Sequence, residues 1–233
     1  MFALVCDHAA EEPRERVVEG VRFQAVYVTG GDTLRARLSQ CAAARALARR
    51  GVREAAFLTQ DVDRAVFANR GVVPISAVPL YRATAAAIVR RYLAQSGVEP
   101  RCATLAFAAE RVPPELYRAI ESLSDDVRYL ALRAPDGAAL AGRLQRERGV
   151  AVRLCDKVPL HANLTVVFDN TAAEGNALRL DDTLRVSYDS PYPNVLLAAL
   201  WRAGALDADS LTVLSVSTAE SQEKSCKMPT FPV

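Results

Sequence analysis

Three short stretches combine residue types that bind small molecules. In Thr29-Gly30-Gly31-Asp32-Thr33, two glycines stand between a strand-like run and a helical one. Such a turn can aim backbone N–H groups at an anion held by the positive end of the helix, or it is a plain Gly-Gly turn with Asp32 as the helix N-cap. At Glu110-Arg111 a guanidinium could clamp a carboxylate or phosphate while the adjacent carboxylate orients it. As a solvated pair before a proline-started helix, the same two residues would contribute little. Asp169-Asn170, followed by Thr171, ends an apolar run. A carboxylate there could take a ribose hydroxyl or a hard cation, and the same residues also make good turn chemistry. The candidate ligand-binding set is therefore Gly30, Gly31, Asp32, Glu110, Arg111, Asp169 and Asn170.

Other chemistry lacks a complete motif. The two histidines, His8 and His161, have no partner at metal-ligand spacing, and neither H-E-x-x-H nor G-x-S-x-G occurs. His8 follows Asp7 and could act as an acid–base group beside Gly30-Gly31, or it is a loop histidine. The five cysteines (Cys6, Cys41, Cys102, Cys155 and Cys226) form no C-x-x-C pair, which suggests neither a disulfide framework nor a zinc site. Cys6, Cys102 and Cys155 adjoin strand-like runs and read as small buried hydrophobes. Asp181, Asp182 and Asp189 read as solvated loop carboxylates. No metal and no cofactor is expected. A dinucleotide would need G-x-G-x-x-G after the Cys102–Ala108 run, where the chain has Ala109-Glu110-Arg111-Val112-Pro113-Pro114. No glycine lets a pyrophosphate approach, and Glu110 would repel it.

Charge narrows the class further. In 233 residues, 29 Lys+Arg stand against 27 Asp+Glu, giving a net charge of +2, too small an excess for a dedicated nucleic-acid binder. No apolar run approaches the roughly 20 residues of a membrane span, and Met1–Cys6 lacks the length and basic flank of a signal peptide. The expected address is the cytoplasm. Only Lys157, Lys224 and Lys227 are lysines, and two of them fall in a polar segment after Ser217 that reads as a disordered tail over 217–233.

The elements that must position these residues alternate. Apolar runs at 2–6, 22–28, 54–58, 72–75, 102–108, 127–132, 150–154 and 164–168 predict strands. Between them, helical periodicity appears over 32–49, 61–69, 79–95, 113–123 and 136–148, with Gly51, Gly71, Gly97 and Gly149 as stops. In the first helix Leu34, Leu38, Cys41, Ala42 and Leu47 share one face; Asp61 is the expected cap of the second. Residues 184–188 and 211–216 predict two further strands, the last placed in or beside a main sheet, with a helix over 193–202. Strands apolar on both faces and separated by helices indicate parallel sheets with helical cover. The fold expected is α/β: two small Rossmann-like three-layer units with mainly parallel sheets, over 1–98 and 99–216, joined by the long helix and followed by the tail. In this order of elements the chain resembles the shikimate-dehydrogenase type of layout. That resemblance covers element order only and implies no active-site residue.

Two functions fit these readings. One is a non-catalytic protein that acts by self-association or through a protein partner; Trp201 could anchor a subunit contact or complete the core. The other is an enzyme or sensor holding a small anionic metabolite between the units, in which case the loops at 29–33, 59–61, 109–112 and 169–171 converge on one pocket.

Overall fold

A computed structural model describes residues 1–7, 14–157, 161–169, 171–173 and 175–218. His8, Asn170, Cys226 and the tail from 219 onward lie outside the described residues. The chain forms mainly parallel sheets flanked by helices, in two compact units: Met1–Ala77 with Ser190–Ser210, and Val78–Asp189 with the described residues from Leu211 on.

In the first unit, β1 (Phe2–Asp7), β2 (Arg14–Val18), β3 (Val21–Val28), β4 (Glu54–Phe57) and β5 (Val73–Pro74) form one sheet in the order β2-β3-β1-β4-β5. All neighbours are parallel except β2 and β3. The β2–β3 turn is the two residues Glu19 (φ 48°) and Gly20 (φ 76°), the left-handed pair that a two-residue hairpin demands. Helix α1 (Leu34–Arg49) follows β3, and α2 (Arg64–Ala68) follows β4. Their N-caps are Thr33, whose hydroxyl accepts from the Ala36 amide, and Asp63, which accepts from the Ala65 amide. Asp32 and Asp61, the expected caps, each sit too far from the first turn.

The inward face of α1 also differs from expectation. Ala36, Gln40, Ala43, Ala44 and Leu47 are buried, whereas Leu34 and Leu38 are 76% and 62% exposed. Gln40 sets this orientation. Its carboxamide donates to the Thr29 carbonyl (3.2 Å) and accepts from the Asp63 amide (3.1 Å), which turns the alanine side of the helix inward.

In the second unit β6 (Thr104–Ala108), β7 (Tyr129–Arg133), β8 (Val152–Leu154), β9 (Leu164–Val167) and β10 (Ala177–Arg179) form an all-parallel sheet in the order β10-β9-β6-β7-β8. The first strand in sequence is thus central, the next two run outward on one side and the last two on the other. This is the doubly wound order of a Rossmann unit, with its switch point between β6 and β9. Leu105–Ala108 and Leu164–Val167 are buried on both faces, as central parallel strands require. The crossovers carry α5 (Pro114–Leu123) and α6 (Gly137–Arg148), whose Leu116, Ile120, Leu123, Leu140 and Leu144 are buried.

The helix expected over 79–95 is two pieces, α3 (Val78–Ala83) and α4 (Ala85–Gln95). They are divided at Thr84, whose hydroxyl donates to the Leu80 carbonyl (2.9 Å), a back-bond that bends helices. Helix α7 (Asn194–Arg202) returns to the first unit, where it packs by β4 and Arg202 pairs with Glu54 (2.7 Å). The last strands, β11 (Leu184–Tyr188) and β12 (Val213–Thr218), enter neither main sheet. They pair with each other as an antiparallel ribbon against α4, where the Val216 amide donates to Gln95. Ser217 and Thr218 are therefore strand residues rather than tail.

Candidate functional site

In a doubly wound sheet the loops after the strands' carboxyl ends are free to hold ligands, because the helices begin there and the chain diverges at the switch point. In the second unit those loops border an open cleft of about 590 Å³ lined by Ala109, Glu110, Arg133, Ala134, Pro135, Cys155, Asp156, Thr171 and Ala172. The lining comes from the ends of β6, β7 and β8 and from the loop after β9.

Asp169 organises one wall. It accepts the Glu110 amide on one carboxylate oxygen, and the Thr171 amide (2.8 Å) and hydroxyl on the other. The loop after β6 is thereby tied to the loop after β9. Burial alone would raise the Asp169 carboxyl, but the Thr171 hydroxyl, the two amides and the Arg82 charge outweigh it and hold the carboxyl below the usual carboxylate value. Arg82, on α3, has a buried Nε with no hydrogen-bond partner. Arg133 and Arg179 each give one N–H to this loop, at the Ala172 carbonyl (2.7 Å) and the Thr171 carbonyl (3.4 Å). Arg133 is half-buried and lines the cavity, while Glu110 and Asp156 are exposed. Cys155 donates weakly to the Leu132 carbonyl (3.5 Å). Burial pushes its thiol up, against the opposing charges of Arg153 and Arg133.

The turn between β6 and α5 cannot cradle a pyrophosphate. The Glu110 amide is taken by Asp169 and the Val112 amide by the Asp136 carboxylate (3.1 and 3.2 Å). Pro113 and Pro114 have no N–H to give, and Glu115 adds a negative charge to the first turn. Asp136, the residue before α6, makes no capping bond and serves this turn instead.

The sequence-derived candidates divide between the units. Glu110 and Asp169 are brought together, the former by its backbone, and Glu110 lines the cavity. Arg111 is exposed and is not among the lining residues. Gly30, Gly31 and Asp32 belong to the first unit. There the Gly31 amide donates to the Asp61 carbonyl (2.8 Å), and a side chain at Gly30 would meet the Asp61 Cβ at 2.9 Å. The two glycines thus let the 29–33 loop lie against the Asp61 loop, and this N–H goes to protein. His161 is exposed. Cys102 is exposed on a single 3₁₀ turn and Cys155 is half-buried at the cavity, so neither is the fully buried hydrophobe its sequence context suggests. Arg133 and Cys155 were not among the candidates. Their signal is positional, since each falls at or just beyond the end of a parallel strand, and it becomes usable only once the strand order is known.

No protein-family model matches the sequence, and no curated protein matches it. Among solved structures, it is similar to apo D-lactate dehydrogenase from Escherichia coli, with 13% identity and a TM-score of 0.35 over 62% of this chain and 58% of that one. It is similar to the catalytic subunit of M. jannaschii aspartate transcarbamoylase, with 8% identity and a TM-score of 0.30 over 71% of this chain and 60% of that one. It is also similar to Thermococcus litoralis Delta(1)-pyrroline-2-carboxylate reductase in complex with NADH and L-proline, with 9% identity and a TM-score of 0.28 over 41% and 31%. The chain spans less than two thirds of the length of each of these proteins, and likenesses this weak say nothing about substrate or activity. Among the described residues no helix is long and apolar enough to cross a membrane.

Proposed function

We propose that the second unit is a binding module for a small anionic metabolite, held at the carboxyl edge of its parallel sheet without a dinucleotide and without covalent chemistry. The observation that carries this reading is the 590 Å³ cleft at the switch-point edge with Arg133, a partly buried residue, in its wall. Cavities of this size suit metabolites. A guanidinium with one N–H spent on the Ala172 carbonyl keeps donors for a carboxylate or phosphate. A binding role rather than catalysis is favoured because the groups with shifted pKa near the cavity are displaced away from neutrality. Asp169 is held as a carboxylate and Cys155 as a thiol, whereas an acid–base catalyst is tuned toward the working pH.

The test is a thermal-shift screen against sugar phosphates, nucleotides and small carboxylic acids, followed by calorimetry. A ligand at about 100 times its Kd stabilises the fold by about 2.7 kcal/mol, and Arg133→Ala is expected to remove that shift while leaving the unliganded midpoint nearly unchanged. Bound ligand should also shield Cys155, but not the exposed Cys102, from a neutral alkylating reagent. Absence of any shift or shielding across the panel would sink the reading.

Association is the second reading. It is favoured by Leu34 and Leu38, which α1 turns outward, as apolar area that a partner or a second copy of the chain could cover.

A further inference from the structure

The cavity holds charges of both signs, and none of them is paired within it. Arg133 spends one N–H on the Ala172 carbonyl, and no ion pair among the described residues joins it to Glu110 or Asp156, which line the same space. Arg133 is a partly buried residue, and Glu110 and Asp156 are exposed. A purely anionic ligand would satisfy Arg133 and bring its charge toward two carboxylates. A neutral one would leave the guanidinium with the Ala172 carbonyl as its protein partner and no opposite charge. A ligand with an anionic group and two cationic groups meets all three, because unlike charges at contact attract even at the dielectric constants of a protein surface. The remaining wall is Ala109, Ala134, Pro135, Cys155, Thr171 and Ala172, mostly small apolar groups against which a short aliphatic chain can lie.

We infer that the cavity takes a small amino acid with a second cationic group, its carboxylate on Arg133 and its ammonium groups toward Glu110 and Asp156. This rests on the reading of the cavity as a metabolite site that holds an anionic group on Arg133, and adds two ammonium groups to the ligand that carries it.

A series built on one carbon chain tests the assignment: L-lysine, 6-aminohexanoate, L-norleucine, hexanoate and cadaverine, which between them delete each charge. Binding is followed by calorimetry on the full chain and by shielding of Cys155 from alkylation, with Cys102 as the unshielded control. The expected order is lysine first, 6-aminohexanoate and norleucine next, and hexanoate about tenfold or more weaker than lysine. Cadaverine, lacking the group for Arg133, should be weakest. Glu110→Gln and Asp156→Asn should each cut the preference for lysine over hexanoate by about fivefold, with hexanoate itself bound more tightly because a repelling carboxylate is gone. Both side chains are exposed, so the unliganded melting midpoint of each variant verifies its fold.

Hexanoate binding as tightly as lysine would overturn the inference, as would a preference for lysine that survives in Glu110→Gln and Asp156→Asn. Shielding of Cys155 by an acid without an ammonium group, and by no member with one, would do the same while leaving the metabolite reading standing. If nothing in this series or in the broader panel shields Cys155, both fail together.

Discussion

Asp169 uses both carboxylate oxygens to hold two loops, so the chemistry at this position depends on acceptors alone. In Asp169→Asn one oxygen can still receive the Thr171 donors, but the new NH₂ faces the Glu110 amide, donor against donor. The expected loss is about 1–2 kcal/mol in urea denaturation at neutral pH. Because the folded-state carboxyl titrates below its unfolded value of about 3.9, its contribution is fully present above that value. It disappears as pH falls through the lower, folded one. Wild type and Asp169→Asn should therefore differ at pH 7 and converge as the pH drops below about 4; a gap that persists into acid would refute the account. Asp169 was legible in the sequence as a polar residue ending an apolar run. Its true partner, an amide 59 residues earlier in the chain, was not, because sequence pattern carries no pairing between distant loops. The same limit hid Arg133, one arginine among many until β7 is placed beside β6.

At the scale of elements, periodicity located the α-helices and every strand but β2 and β10, and misjudged a helix where a single polar contact decided. Thr84 is the clearest case: its position in an apolar stripe predicts an unbroken helix, yet its hydroxyl bonds the Leu80 carbonyl and the Tyr188 hydroxyl (2.7 Å). Since the Thr84 proton goes to Leu80, Tyr188 donates to Thr84. Burial pushes the Tyr188 phenol up, so the phenol stays protonated and able to donate. The ribbon strand β11 is thereby fastened to the α3–α4 break. Thr84→Val leaves a buried phenol without an acceptor and should cost about 1–3 kcal/mol. Tyr188→Phe removes both the group and its need and should cost about 0.5–1.5 kcal/mol. Equal losses, measured by denaturant midpoints, would argue against this assignment of donor and acceptor. Strand β2 was missed for a different reason: Arg14-Glu15-Arg16 reads as solvated charge, and only the left-handed Glu19-Gly20 turn folds it back on β3. The inward side of α1 was misread because alanines that allow close approach to a sheet score below leucines that face away from it.

For the whole molecule, the α/β class and the parallel sheets followed from the sequence because strands buried on both faces leave long apolar runs. Association belongs to this scale. If Leu34 and Leu38 form a contact between copies, Leu34→Gln with Leu38→Gln should convert an oligomer to a monomer in sedimentation at micromolar concentration. Neither substitution should lower the melting midpoint of the monomer, since both residues are exposed. A wild-type chain that is monomeric throughout the accessible range removes the reading.

The return of α7 to the first unit, after the chain has laid down β6 to β11, bears on the order of events at the ribosome. Leu196, Leu197 and Leu200, which are buried in that unit, are synthesised more than a hundred residues after β5. The second unit in turn waits for β12 to complete its ribbon with β11. Neither half can mature while the other is still being made, so the usual sequence in which an N-terminal domain folds first gives way to near-simultaneous completion. The nascent chain must keep the apolar strands of both sheets from aggregating until α7 and β12 have emerged, and a holding chaperone is expected to raise the yield of folded protein more than a prolyl isomerase.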